Sequence, residues 1–250
     1  MHDDTTRVKL NGEPVNQMAR IGTFSEFVVC PAEQVVSVRK DLPWTHAAII
    51  GCSVATGVGA AIRHAKVESG STVLVVGCGG VGLNVVQGAK LAGAKTIIAC
   101  DLLDNKLGYA KEFGATHTIN AKKDDTVKAV KDLTGGGVDY AFDAIGGAKT
   151  METCVDAIAP GGHAIMVGMP AFTDRAQINP FQVVFQEKKI TGTYYGSIRP
   201  PVDFGVLADL DMDKRINLDA LISRTYKFDE INEGFKLLTQ GAVARGVIVF

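Results

Sequence analysis

One stretch, residues 71–101, constrains the fold of this chain more than any other. It reads STVLVVGCGGVGLNVVQGAKLAGAKTIIACD. The short β-branched run at 73–76 predicts a buried parallel strand, because strands covered on both faces are continuously apolar. A glycine-rich turn at 77–82, a helix at 83–92 and a second strand at 96–100 follow. This order is one βαβ unit of a parallel sheet.

The glycines of the turn have the spacing G-x-G-x-x-G at Gly77, Gly79 and Gly82, with Gly80 and Val81 between them. Gly77 permits the tight turn, and Gly79 lets a pyrophosphate approach the backbone without meeting a Cβ atom. Gly82 lets the helix pack closely on the strand. The helix N-terminus supplies free N–H groups and partial positive charge. The turn therefore predicts a dinucleotide-binding site.

Asp101, at the tip of the second strand, follows Gly77 by 24 residues. At this spacing a carboxylate can accept hydrogen bonds from the adenosine ribose hydroxyls, and it repels the 2′-phosphate that distinguishes NADP. The sequence therefore predicts NAD as the cofactor. Lys106 is within reach of a ribose hydroxyl as well, although an exposed helix lysine is equally well explained as solvated.

Four further strand patterns follow, and they complete a fold prediction. They lie at 117–119, 138–144, 164–167 and 189–194, with segments of helix length before and between them. The fold class is therefore α/β, with a six-stranded, doubly wound parallel Rossmann sheet. Ligands of such sheets bind at the carboxyl ends of the strands. We expect Ile145, Gly146, Val167 and residues 193–196 to line one crevice with the glycine turn.

The two ends of the chain predict a second, smaller lobe. Residues 24–29 and 35–38 are strand-like, and the strand at 246–250 is expected to pair with them. Residues 44–50 and 54–65 are expected as two helices separated at 51–53. The predicted division is a partial lobe at 1–53, a nucleotide-binding domain at 54–196 and a second part of the lobe at 197–250.

Composition excludes several classes of partner. Lys and Arg number 26 against 27 Asp and Glu, so neither nucleic acid nor an anionic membrane surface is expected. The N-terminus has no secretory signal pattern, and no apolar stretch of roughly 18 residues is evident, which favours a cytoplasmic location without membrane contact. The five cysteines form no C-x-x-C pair, so reduced thiols are expected.

Three separated motifs carry a family resemblance. They are GCSVATGVGA at 51–60, GCGGVG at 77–82 with Asp101, and Arg245-Gly246 before the last strand. In this order and spacing they resemble the zinc-containing medium-chain alcohol dehydrogenases, from about Thr23 to the C-terminus. The resemblance implies that the smaller lobe is part of a β-rich, GroES-like catalytic domain.

The resemblance also implies site residues. Cys52 matches a ligand of the catalytic zinc ion, and Thr56 and Val81 match residues packed against the nicotinamide. The backbone at Val167 matches the position that holds the carboxamide. Arg245 matches an arginine that meets the cofactor pyrophosphate.

The chain departs from the family in the segments that precede these motifs. It has no G-H-E segment, no hydroxyl relay and no four-cysteine cluster for a structural zinc. Catalytic zinc needs three protein ligands, so Cys52 alone does not hold it tightly. His46 and His64 flank Cys52 by six and twelve residues as candidate helpers, but both are better explained as ordinary helix residues. His117 and His163 open predicted strands, and His2 is expected to be disordered.

Three functions follow from these features. The first is an NAD-dependent alcohol or aldehyde oxidoreductase that transfers hydride, with zinc as the family's Lewis acid, lacking part of its catalytic domain. The second is a non-catalytic dinucleotide-binding module or a partner of a full-length relative. The third is a zinc-free reductase of the same superfamily, which the pattern around Cys52 disfavours. The resemblance also implies a homo-oligomer, a dimer or tetramer, with residues 175–180 near the paired sheet edge.

Overall fold

A six-stranded parallel sheet forms the centre of the molecule. The computed structural model describes residues 6, 8–17, 19, 21–241 and 243–250, so the prediction for His2 lies outside the described residues. The sheet has the strand order β5-β4-β3-β6-β7-β8, which confirms the predicted doubly wound fold. The strands in chain order are β1 (Lys9–Leu10), β2 (Glu13–Pro14), β3 (Thr72–Val76), β4 (Thr96–Asp101), β5 (His117–Asn120), β6 (Val138–Asp143), β7 (Ile158–Met166), β8 (Lys189–Gly192), β9 (Ile222–Tyr226) and β10 (Arg245–Ile248).

Helices cover both faces of the sheet. Successive apolar side chains of β3 point to opposite faces of the sheet. Val73 and Val75 belong to one buried cluster, and Leu74 and Val76 belong to the other. This alternation divides the core into two layers. The helices are α1 (Trp44–His64), α2 (Gly80–Leu91), α3 (Asp104–Phe113), α4 (Thr126–Thr134), α5 (Ala148–Ala157), α6 (Pro180–Phe185), α7 (Pro200–Met212) and α8 (Ile231–Thr239).

The strand register brings the predicted site segments together at the carboxyl ends of the strands, which we call the carboxyl edge of the sheet. Val76 is paired with Cys100 on one side and with Asp143 on the other, and Asp143 is paired with Met166. Because the strands are parallel, the residues that follow these four ends lie beside one another. The glycine turn, Asp101, Ile145 and Val167 therefore share one edge, as expected.

The predicted pairing of the smaller lobe was wrong. Residues 24–29 and 35–38 form no strand, and the segment between them contains a 3₁₀ turn at Ala32–Gln34. Strand β10 pairs instead with β9, in parallel. Alternating apolar residues form a strand only where a second strand supplies hydrogen-bond partners, and Phe27 is 88% exposed here. Within the described residues, the strands of this lobe form only two separate two-stranded sheets, β1-β2 and β9-β10.

Helix α1 runs without a break where two helices were expected. Residues 51–53 continue it through a π-helical turn at Ile50–Val54, and a second π-helical turn, Ala60–His64, ends it. Wider π turns accommodate a local change in winding and are frequent at functional sites. The helix packs closely on α2, since a Cβ atom on Gly57 would lie 2.4 Å from the carbonyl oxygen of Val81.

By length and composition, α1 is also the one helix in the described part of the chain that qualifies as a membrane span. The expectation that no apolar stretch reaches that length was therefore wrong. Of its apolar window, 61% is buried inside the protein. Packing of its small residues against α2 accounts for this apolar character.

Candidate cofactor-binding site

The glycine turn adopts the conformation that its spacing predicts. Gly77 has φ +96°, in the region that favours glycine. A Cβ atom on Gly82 would lie 1.7 Å from the carbonyl oxygen of Gly77, so this position tolerates no side chain. Gly79 has φ −79° and precedes α2, and a Cβ atom built on it meets nothing within 4 Å. The backbone at Gly79 is thus open to the outside, at the end of a helix whose first amides need acceptors.

Arg245 lies directly over this turn. A Cβ atom on Gly80 would be 2.1 Å from the Arg245 Nε atom. Within the described part of the chain, Nε is buried and has no hydrogen-bond partner. Burial removes solvent from the guanidinium and lowers the pKa of Arg245. A desolvated cation beside a helix N-terminus is suited to an anion.

Asp101 has a structural task in addition to its predicted one. Its Oδ2 atom accepts a hydrogen bond from the Cys78 amide at 2.8 Å, and its Oδ1 atom accepts one from the Leu103 amide at 3.1 Å. The carboxylate therefore fixes the glycine turn. Together with Lys106 it also lines a groove of about 1480 Å³ that extends from the turn past Ile145.

The ends of β6 and β7 form the next part of the edge. Ile145 packs on the turn, since a Cβ atom on Gly77 would lie 2.5 Å from its Cγ1 atom. Gly146 has φ +87° and approaches Gly168 so closely that neither tolerates a Cβ atom. The Val167 amide donates to the Asp143 carbonyl at 2.9 Å. The structure thus brings Ile145, Gly146 and Val167 together.

Helix α1 contributes the remaining predicted residues. A Cβ atom on Gly196 would lie 2.6 Å from the Thr56 carbonyl oxygen, so the segment after β8 lies against α1. The Tyr195 hydroxyl donates to the Gly51 carbonyl. Burial raises the pKa of Tyr195. Cys52 follows Gly51 in the same π-helical turn of α1.

The contact that the Tyr195 hydroxyl makes and the role of Asp143 were not predicted from the sequence. Tyr195 follows a strand in a glycine-containing segment, and nothing in its pattern predicts that its hydroxyl reaches α1. Asp143 is the last residue of β6 and was not among the predicted site residues. A carboxylate at a strand end beside a glycine turn is the signal that it shares with Asp101, and this parallel would have identified it.

The residues around Cys52 do not form a zinc site. No group of three or more His, Cys, Asp or Glu side chains in the described ranges is arranged to hold a metal ion. The ring nitrogens of His46 contact Asp211 at 2.6 Å and Asp219 at 3.1 Å.

The ring nitrogens of His64 contact the Ser197 hydroxyl at 3.0 Å and the Thr191 hydroxyl at 2.8 Å. Both histidines suggested as helpers therefore have other partners, and Cys52 supplies a single ligand. Catalytic zinc requires three ligands, so this ligand set does not fit the ion.

All five cysteines are free thiols, as predicted. Burial is the main cause that raises the pKa of Cys78, Cys100 and Cys154, so these three thiols stay protonated at neutral pH. Cys52 is exposed. It is the cysteine that the family resemblance assigns to the site.

Comparison with known proteins shows which family this chain belongs to. A family model described as zinc-binding dehydrogenase matches residues 80–210, just over half of the chain. The S-(hydroxymethyl)glutathione dehydrogenase of Paracoccus denitrificans is 39% identical, and the match covers 100% of this chain and 69% of that protein. The class-3 alcohol dehydrogenase of Cereibacter sphaeroides is 38% identical, with 100% and 69% covered.

Solved structures agree. The benzyl alcohol dehydrogenase of Acinetobacter calcoaceticus superposes with a TM-score of 0.83 at 35% identity, covering 85% of this chain and 59% of that one. A Sinorhizobium meliloti dehydrogenase bound to NADP has a TM-score of 0.73 at 29% identity, covering 84% and 61%. The chain thus spans about three fifths of the length of these structures.

The sheet and its glycine turn define the Rossmann fold of the dinucleotide-binding dehydrogenases. Within that class, the chain belongs to the zinc-binding medium-chain alcohol dehydrogenase family. The resemblance inferred from the three sequence motifs is confirmed.

Proposed function

We propose that this chain is the NAD-binding part of an alcohol or aldehyde oxidoreductase, in which hydride passes between an alcohol carbon and the nicotinamide. The observation that carries the proposal is the position of Arg245. Its buried Nε atom has no protein partner in the described structure and lies over the glycine turn. A pyrophosphate supplies the anionic oxygens that such a cation and a helix N-terminus bind.

The glycine turn supports the same ligand. The open space above Gly79 allows an anion to approach the backbone, and closure of the turn at Gly77 and Gly82 holds the α2 N-terminus against the strand end. We assign the pyrophosphate to residues 77–82 and Arg245. The nicotinamide half then lies toward Thr56, Ile145, Gly146 and Val167.

NAD is the proposed form of the dinucleotide. Asp101 is fixed at the groove beside Lys106, where a 2′-phosphate would meet its negative charge. One similar structure holds NADP, so the preference in this chain rests on its own carboxylate.

The proposed substrate is a small alcohol or aldehyde, because the similar proteins are named for such substrates. The predicted division at 54–196 and 197–250 stays a proposal, as do the roles of Cys52 and Thr56. Since the ligand set around Cys52 does not fit zinc, no step of the reaction is assigned to that ion. The family's Lewis-acid chemistry would need ligands beyond those described.

Fluorescence titration with NADH tests the proposed function. Gly79→Val places a side chain in the open space and is expected to reduce NADH affinity by at least about 100-fold, with an unchanged thermal midpoint. Gly108→Val is the matched control, because Gly108 lies on the exposed face of α3 with nothing within 4 Å of its Cβ position. Equal NADH affinity in both variants would contradict the proposed site.

The choice of dinucleotide is tested by Asp101→Ser. We expect the ratio of NADH to NADPH affinity to fall about tenfold or more, because the repelling charge is removed. Asp104→Ser changes the net charge equally, on an exposed helix position paired with Lys123, and should leave the ratio unchanged. An unchanged ratio for Asp101→Ser would remove the role assigned to that carboxylate.

A second candidate function is a dinucleotide-binding module without chemistry of its own. The single metal ligand at Cys52 favours it. Calorimetry with zinc and an NADH-oxidation assay with an aldehyde discriminate the two. Zinc binding together with aldehyde reduction supports the oxidoreductase, and NADH binding without either supports the module.

We also propose a cytoplasmic homo-oligomer. Strand β8 is one of the two edge strands of the sheet, and the segment that connects it to β7 exposes apolar side chains: Phe172 by 98%, Val184 by 79% and Phe185 by 75%. Apolar side chains at an open sheet edge favour pairing with a second copy. Analytical ultracentrifugation of wild-type protein and Phe185→Glu tests this, since the variant is expected to shift the population toward monomer.

A further inference from the structure

Two buried amide side chains connect the start of α2 to the C-terminal part of the chain. Asn84 and Gln87 lie three residues apart on one face of α2 and are 0% and 5% exposed. The Asn84 Nδ2 atom donates to the Gly80 carbonyl at 2.6 Å, and the Gln87 Nε2 atom donates to the Asn84 Oδ1 atom at 3.1 Å. The Gln87 Oε1 atom accepts from the backbone amide of Asn217 at 2.6 Å. We call this chain of hydrogen bonds, from Gly80 to Asn217, the amide bridge.

The far end of the amide bridge lies close to the strand position of Arg245. Asn217 precedes Ile222 by five residues, and Ile222 is the β9 residue whose Cα atom is paired with that of Arg245. The turn between them is fixed, because the Ile222 amide donates to the Leu218 carbonyl at 3.3 Å and both Leu218 and Leu221 are fully buried. The amide bridge therefore holds the beginning of β9, and with it the residue that pairs with Arg245.

The contacts close on the residue where they began. Arg245 lies over Gly80, whose Cβ atom would be 2.1 Å from the Arg245 Nε atom, and the amide bridge starts at the carbonyl of the same Gly80. The proposed anion site consists of the backbone after Gly79 and the cation above it. Charge-assisted hydrogen bonds depend on distance and angle, so the spacing between these two parts determines how well they hold one anion together.

The direction of each amide is set by a backbone group at each end of the bridge. The Asn217 N–H group can only donate, so Gln87 turns its oxygen toward it and its NH₂ group toward Asn84. The Gly80 carbonyl can only accept, so Asn84 turns its NH₂ group toward it. An apolar side chain at position 87 would remove the acceptor for the Asn217 amide, and water would take its place. The segment before β9 would then lose its hydrogen bond to α2.

We propose that Gln87 is a positioning residue, which sets the spacing between the glycine turn and Arg245 and thereby the affinity for the dinucleotide pyrophosphate. This inference rests on the proposed function. It adds that a residue in the interior of α2, without contact to the ligand, controls the grip of the site through the start of β9.

A double-mutant cycle tests this, with NADH affinity measured by fluorescence titration at a temperature where every variant is folded. Gln87→Met keeps the length of the side chain and removes the acceptor. We expect it to weaken NADH binding about tenfold in the wild-type background and by less than about twofold in the Arg245→Ala background, because the positioned group is then absent. Asn84→Ala interrupts the amide bridge at its other bond and should give the same pattern, so it serves if Gln87→Met does not fold.

Thr116→Val is the matched control. The Thr116 Oγ1 atom accepts from the Ile97 backbone amide at 2.9 Å, at the opposite end of the strands from the glycine turn. The variant likewise removes a side-chain acceptor from a backbone amide. It should change NADH affinity by less than about twofold in both backgrounds.

The same fold-loss from Gln87→Met in both backgrounds would show that Gln87 acts without Arg245 and would overturn the inference. Wild-type NADH affinity in a folded Gln87→Met protein would overturn it as well. If wild type bound no NADH, or if Arg245→Ala bound it as tightly as wild type, the proposed function itself would fail. Those results are distinct from additive losses in a protein whose NADH affinity depends on Arg245.

Discussion

The central sheet and the N-terminal segment at 21–38 contain similar apolar sequences but fold differently. Residues 73–76 are at most 5% exposed and pair with strands on both sides, whereas Phe27 and Val29 are 88% and 71% exposed and pair with none. The two regions differ in whether other strands and helices are available to pair with the segment and cover it. In the sheet, each strand is preceded or followed by a helix that covers it, so a short apolar run is sufficient. The N-terminal segment has no such partner among the described residues.

The largest effect should separate these two regions by stability. Phe142→Ala removes a fully buried ring between the sheet and its helices and is expected to lower the free energy of unfolding by about 3–5 kcal/mol. Phe27→Ala, at an exposed position, should change it by less than about 0.5 kcal/mol. Urea unfolding measures both. Comparable losses would show that the N-terminal segment packs in solution.

The next effect concerns glycines inside the central unit. Gly82→Ala is expected to cost about 2–3 kcal/mol, because its Cβ atom would overlap the Gly77 carbonyl oxygen. Gly108→Ala should stabilise the protein by about 0.5–1 kcal/mol, because it lies in open space on a helix. Thermal unfolding gives both signs. A stable Gly82→Ala protein would mean that the turn is wider than described.

A smaller effect separates two helix starts, one beside the central sheet and one in the C-terminal part of the chain. The Asp125 side chain accepts from the Lys128 amide at 3.0 Å, so Asp125→Ala should cost about 1 kcal/mol. The cap position of α8 is Glu230, which makes no side-chain hydrogen bond, and Asp229 directly precedes it. Asp229→Ala should therefore cost less than about 0.5 kcal/mol. Equal costs in urea unfolding would show that the Asp229 side chain caps α8.

The smallest effect is expected from pH. Burial lowers the pKa of His64 and of His163, whose side chains share the Thr191 hydroxyl. Below about pH 6.5 these histidines bind protons more readily in the unfolded chain than in the folded chain. The free energy of unfolding therefore falls as the pH falls below that value, and the contribution of the histidines is fully present above it. His64→Asn should reduce the loss of thermal stability between pH 7.5 and 5.5. An unchanged pH profile in that variant would exclude this contribution.

Local pattern was sufficient for most of the sheet. The strand at 73–76, the turn at 77–82 and the aspartate at a strand end each follow from spacing that has one common structural solution. The pattern failed where a neighbour decides the result. Residues 51–53 continue a helix because α2 packs against it. The last strand pairs with β9, because β9 is extended and presents its backbone hydrogen-bonding groups, whereas residues 24–29 and 35–38 form no strand.

The sequence by itself determined the parallel sheet, the glycine turn and the family, because these depend on short-range periodicity and on glycine's lack of a Cβ atom. The family motif had placed Arg245 near the pyrophosphate, but the tertiary structure alone decided that its Nε atom is buried without a protein partner against Gly80, 165 residues earlier. It also decided that, within the described residues, Asp143 keeps a buried oxygen without a partner. Such long-range contacts and their desolvation depend on how distant segments pack, and no local pattern of residues encodes them.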